Sequence, residues 1–156
     1  MNNKISSFLI ALFCLTVITL PSCSNDKDDD IHESVMTYDK LPQPAKDFIT
    51  DYFSYTIVSQ IDLINDDGEI LYEVNFADGC EVIFNTEGIW QQVDAPSGKT
   101  IPDGITPKPI MDYLNIYYSD YGVNEINKTG YGYKVELVTE LDLMFSQDGQ
   151  FLGVMD

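Results

Sequence analysis

Few side chains in this 156-residue chain are equipped for catalysis, and their placement argues against it. The single His, His32, sits in the acidic stretch "SNDKDDDIHES" ahead of the first apolar periodic segment. Of the three Cys, Cys14 lies inside an apolar leader and Cys23 directly after it, so Cys80 is the thiol of the folding region. A catalytic thiol is usually activated by a His, and His32 falls outside that region, so Cys80 reads as a small core residue. Asp66 and Asp67 are adjacent carboxylates, but "INDDGEI" is a turn-rich loop in which they stay solvated. That loop also lacks the alternating oxygens and terminal Glu of an EF-hand. No nucleophile motif, Gly-rich phosphate loop or metal-spaced Cys/His cluster occurs. The expectation is a non-enzymatic protein without a cofactor or metal.

The chemistry that the sequence does support is modification of its N-terminus. One Lys precedes an apolar run from Ile5 to Leu20, followed abruptly by acidic residues. The run is shorter than the ~20 residues of a membrane span and reads as a secretory signal over 1–22. Leu20-Pro21-Ser22-Cys23 resembles the bacterial lipoprotein cleavage box, which makes Cys23 the lipidated first residue of the mature chain. Two or three acyl chains give stable membrane attachment. Residues 23–40, rich in charge and poor in apolar groups, read as a disordered acidic tether. Its start, Ser24 to Asp30, is similar to the surface-export signal of some Bacteroidetes lipoproteins and equally to a plain solvated spacer. The expected location is the cell envelope, as an outer-membrane lipoprotein facing the periplasm or the outside.

Charge narrows the partners. The full chain carries −18 and no Arg, and loses Lys4 with its leader. Nucleic acid and anionic headgroups need clustered cations and are poor partners for it. A cationic protein, a neutral glycan or a divalent cation remains compatible.

The elements that would position a site come from an internal repeat. Pro42, Pro44, Phe48, Tyr52, Phe53, Val58 and Ile61 recur 65 residues later as Pro107, Pro109, Tyr113, Tyr117, Tyr118, Val123 and Ile126. After a four-residue deletion, Tyr72, Val74, Phe76, Val82, Phe84, Gly88 and Trp90 match Tyr133, Val135, Leu137, Leu143, Phe145, Gly149 and Phe151. Each copy opens with a Pro-initiated helix whose apolar face is Ala45, Phe48, Ile49, Tyr52 and Phe53, or Ile110, Tyr113, Leu114, Tyr117 and Tyr118. Alternating strands follow, among them "ILYEVNF", "CEVIF", "YKVEL" and "LDLMF". Asp78-Gly79 marks a tight turn, whereas its counterpart Thr139-Glu140 has no Gly. In "FNTEGIW" and "FSQDGQF", Gly88 and Gly149 take the positive φ that closes a hairpin, with aromatics packed across it. The copies span 41–94 and 106–156, joined by the linker "APSGKTIPDGI". Copies of this size are marginal alone, so they should share one core as a single domain over 41–156.

This order, with "YEVNFADGCEVIFNTEGIW" and "YKVELVTELDLMFSQDGQF", resembles the PepSY-like, beta-lactamase-inhibitor-like domains of secreted Bacteroidetes proteins. The resemblance implies an α+β fold: two tandem helix-plus-four-strand repeats forming a continuous curved antiparallel sheet, with the helices on one face. It also implies that the helix-free face grips a protein. By strand parity that face carries Glu73, Asn75, Glu81, Ile83, Lys134, Glu136, Asp142 and Met144, with Ile83 and Met144 at equivalent positions. The primary reading is a lipid-anchored, inhibitor-like module binding a protein partner. The alternative is a small-ligand or glycan binder using Trp90 and the Tyr rings, although Trp90 matches the apolar Phe151 and reads as core.

Overall fold

The computed structural model of the chain describes residues 34–155, Asp67 excepted. The leader, Cys23, the tether up to residue 33, His32 and Asp67 lie outside the described residues. The elements are β1 (Ser34–Val35), α1 (Gln43–Phe53), β2 (Val58–Asp66), β3 (Glu69–Phe76), β4 (Glu81–Asn85), β5 (Trp90–Asp94), α2 (Lys108–Tyr117), β6 (Val123–Thr129), β7 (Gly132–Leu137), β8 (Asp142–Ser146) and β9 (Phe151–Val154). The nine strands form one antiparallel sheet in chain order, with β5 and β6 paired at its middle.

Both helices start where the Pro pairs place them. Pro42 and Pro107 stand at the N-caps with Pro44 and Pro109 in the first turn, where no N–H is needed. Both helices cover the same sheet face. Phe48 of α1 meets Phe84 edge-on at 5.6 Å, and Tyr113 of α2 meets Phe145 edge-on at 5.5 Å. Beneath them runs the row Ile61, Val74, Val82, Val93, Ile126, Val135 and Leu143, all buried and in cross-strand register. Cys80 is buried in this core as a free thiol, and Leu141, at the equivalent position of the second half, is partly buried against the same core. Burial pushes the Cys80 thiol up to about 11, the opposite of what a nucleophile needs.

Three expectations need correction. Residues 34–40, assigned to the tether, are ordered: Ser34 and Val35 pair with Leu63 and Asp62, Met36 N–H donates to the Ile61 carbonyl, and Tyr38–Lys40 form a 3-10 turn. An uncovered β2 edge would leave its backbone groups unpaired, and this segment caps part of it. The linker is a packed loop in which Ala95, Ile101 and Ile105 are buried. The Asn124 amide ties it down by donating to the carbonyls of Ala95, Pro96 and Lys99. Tyr117, placed on the apolar face of α2, is exposed, with its ring 4.6 Å from that of Tyr113.

Candidate functional site: the open face of the sheet

All eight residues expected on the helix-free face lie there, half-buried and in register. Glu73 stands opposite Ile83 and Asn75 opposite Glu81; Lys134 stands opposite Met144 and Glu136 opposite Asp142. They form two patches, one in each half of the sheet. The β5–β6 pairing joins the patches through Gln92 opposite Asn127 and Asp94 opposite Glu125, four residues that the sequence reading missed. Strand parity could have placed each of them, because Val93 and Ile126 alternate with them. Adjacency of β5 and β6 across the linker was the absent piece.

The joined face has two rows. One runs Asp62, Glu73, Ile83, Gln92, Asn127, Lys134 and Met144. The other is a ladder of five carboxylates on successive strands: Glu81, Asp94, Glu125, Glu136 and Asp142. Like charges directly opposite one another in a sheet are destabilising, so this ladder is held at a cost. Burial, then Glu73, Asp94 and Glu125, raise the pKa of Glu81. Burial and Glu125 raise that of Asp94; burial, Glu125 and Asp142 raise that of Glu136. Lys134 is the cation set among them, with Nζ 2.9 Å from Asp142 and 4.0 Å from Glu136. Its hydrogen bond to Asp142 keeps it charged. Asn127 donates to Glu125, and Asn75 donates to Glu73 at 2.9 Å.

Beside the ladder, Asp94, Glu125, Glu136 and Glu140 line a cleft of about 480 Å³ walled by the linker loop. A larger, apolar cleft of about 600 Å³ opens elsewhere, between Val35–Tyr38, α1 and the start of β2. Among the described residues no charged side chain lines it, and the charged groups gather on the open face. Among the described residues no three His, Cys, Asp or Glu side chains converge on a metal position. Trp90 sits on the helix side, packed on Phe48 and Tyr133, and the Lys128 ammonium covers its ring at 3.9 Å. A ring face already engaged by a cation is a poor platform for a sugar.

A family model described as "Putative beta-lactamase-inhibitor-like, PepSY-like" matches residues 70–153. The chain belongs to this family. The PepSY-like chain is also similar to solved structures from Bacteroides. A "putative periplasmic protein of unknown function" from Bacteroides vulgatus is 32% identical, with a TM-score of 0.75, covering 80% of this chain and 99% of that one. A "putative calcium-regulated periplasmic protein" from Bacteroides thetaiotaomicron is 27% identical, with a TM-score of 0.74, covering 80% and 97%. A second Bacteroides vulgatus protein, 24% identical with a TM-score of 0.74 over 83% of this chain, shares the fold. No curated protein matches. The PepSY-like chain thus shares its fold with proteins described as periplasmic, and nothing in the family description or in its site points to catalysis. No helix among the described residues is long and apolar enough to cross a membrane.

Proposed function

We propose that this chain is a lipid-anchored envelope protein whose open sheet face docks a protein partner carrying a basic surface, in the manner of an inhibitor-like module. The observation that carries this reading is the ladder from Glu81 to Asp142. Five opposed carboxylates weaken a sheet by itself, and a cationic partner would relieve that repulsion on binding. Ile83 and Met144, at equivalent places in the neighbouring row, add apolar contact to an otherwise polar face. The two halves read as tandem copies that together curve the sheet around a partner. Irregular register at Val58/Gln60 and Val123/Glu125, and again at Ile83/Phe84 and Met144/Phe145, falls at matching positions and supports that reading. Cys23 would carry the anchor at the outer membrane.

Glycan or small-ligand binding is less well supported, because Lys128 occupies the ring face of Trp90. The calcium-regulated relative makes calcium the first ion to test as a regulator of the open face. The docking reading is tested by co-purification of partners with the full-length chain and with Ile83→Asp, Met144→Asp and Glu125→Lys variants. Capture should be lost with the melting temperature kept; unchanged capture by all three removes the open face as the site.

A further inference from the structure

The β2–β3 end of the open face holds a group that partner docking does not explain. Asp62 is 4% exposed, and its Oδ1 has no hydrogen-bond partner among the described residues. Its Oδ2 accepts from Gln60 Nε2 at 2.7 Å. Directly across the strand pair stands Glu73, a second carboxylate, whose Oε1 accepts from Asn75 Nδ2 at 2.9 Å. Gln60 in turn stands opposite Asn75, so two carboxylates and two carboxamides form a square on adjacent strands. A buried carboxylate oxygen without a donor is costly, and an opposed carboxylate increases the cost.

We propose that Asp62 and Glu73, with the side-chain oxygens of Gln60 and Asn75, form a binding site for a hard divalent cation of calcium's size. The donors are all oxygens, two of them charged, which suits calcium or magnesium and not a thiophilic metal. Each carboxamide now points its N–H₂ at a carboxylate; turned over, it presents its oxygen instead, as a cation would require. Calcium tolerates irregular oxygen sets with water completing the shell, whereas magnesium demands a near-octahedral one, so calcium should be preferred. The inference rests on reading this face as the working surface. It fails separately from partner docking, because its test needs no partner.

The test is thermal unfolding of the full-length chain in chelator-treated buffer, titrated with calcium chloride or magnesium chloride at constant ionic strength. Calcium at millimolar concentration should raise the wild-type melting temperature by several degrees, and magnesium by less. Asp62→Asn and Glu73→Gln should abolish the calcium response. Without calcium, Asp62→Asn should melt no lower than wild type, because it removes a buried charge with an unpaired oxygen. A wild type indifferent to calcium overturns the site, as does an equal response to both ions. A response kept by Asp62→Asn but lost by Glu125→Gln also overturns it, because the ion would then sit on the central ladder.

Discussion

Two glycines and one glutamate show how much a single position decides. Gly88 and Gly149 have φ of +83° and +82°, as their place in the repeated hairpin predicts. Their second constraint is tertiary. A Cβ on Gly88 would lie 2.9 Å from both Ala45 N and Pro42 Cβ, and one on Gly149 would lie 2.7 Å from Pro109 Cβ. Each hairpin tip is therefore pressed against the first turn of its helix, a contact with no local signature in the sequence. Left-handed strain of ~1–2 kcal/mol and the close contact add, so Gly88→Ala should lower stability by about 2 kcal/mol in urea unfolding. Glu140 is the reverse case. It holds φ +63° where the first copy has Gly79 at +90°, and its N–H bonds to Leu137 O as Gly79 N–H bonds to Phe76 O. The turn forms without its preferred residue because the flanking strands impose it. Glu140→Gly should raise stability by about 0.5–1 kcal/mol, the relief of strain less the entropy that glycine loses on folding. A loss of stability would show that Glu140 has a contact that compensates for its backbone.

At the scale of elements, alternation within a strand was enough to put eight residues on the correct face. Which strands lie side by side was legible only within each copy. The seam between β5 and β6 depends on the packed linker and on Asn124, whose buried amide looks in sequence like any strand polar residue. The charge ladder appears only once that seam is closed, and it makes a signed prediction. Glu81, Asp94 and Glu136 have raised pKa values, so the folded protein binds protons more readily than the unfolded chain just above the usual carboxylate range. Stability must then rise as pH falls from neutrality into that window. Asp39 and Asp148, held low by hydrogen bonds from Thr37 and Ser146, act oppositely, and their contribution is lost only at still lower pH. The melting temperature should therefore be higher at pH 5 than at pH 7.5 and drop below pH 4. Glu125→Gln should raise it at pH 7.5 and shrink the difference. A monotonic fall from pH 7.5 to 5 would mean that the ladder is not strained.

For the whole molecule, the periodic aromatic and aliphatic pattern carried the architecture, because helix stripes and strand alternation both point into one core. Aromatic pairs at matching places, Phe48 with Phe84 and Tyr113 with Phe145, are what that pattern encoded. The segment 34–40 was misjudged because composition weighs charge and misses one strand-edge pairing. The proposed anchor makes its own prediction: the full-length chain should fractionate with membranes and incorporate labelled palmitate, and Cys23→Ser should abolish both. Under the proposed function the open face, and not the helical face, is the working surface. Partner co-purification by Glu125→Lys/Glu136→Lys and by Ile116→Lys, exposed on α2, each against wild type, separates the two faces. The ladder variant should lose the partner while Ile116→Lys keeps it, and retention by the ladder variant with loss by Ile116→Lys would put the docking surface on the helices instead.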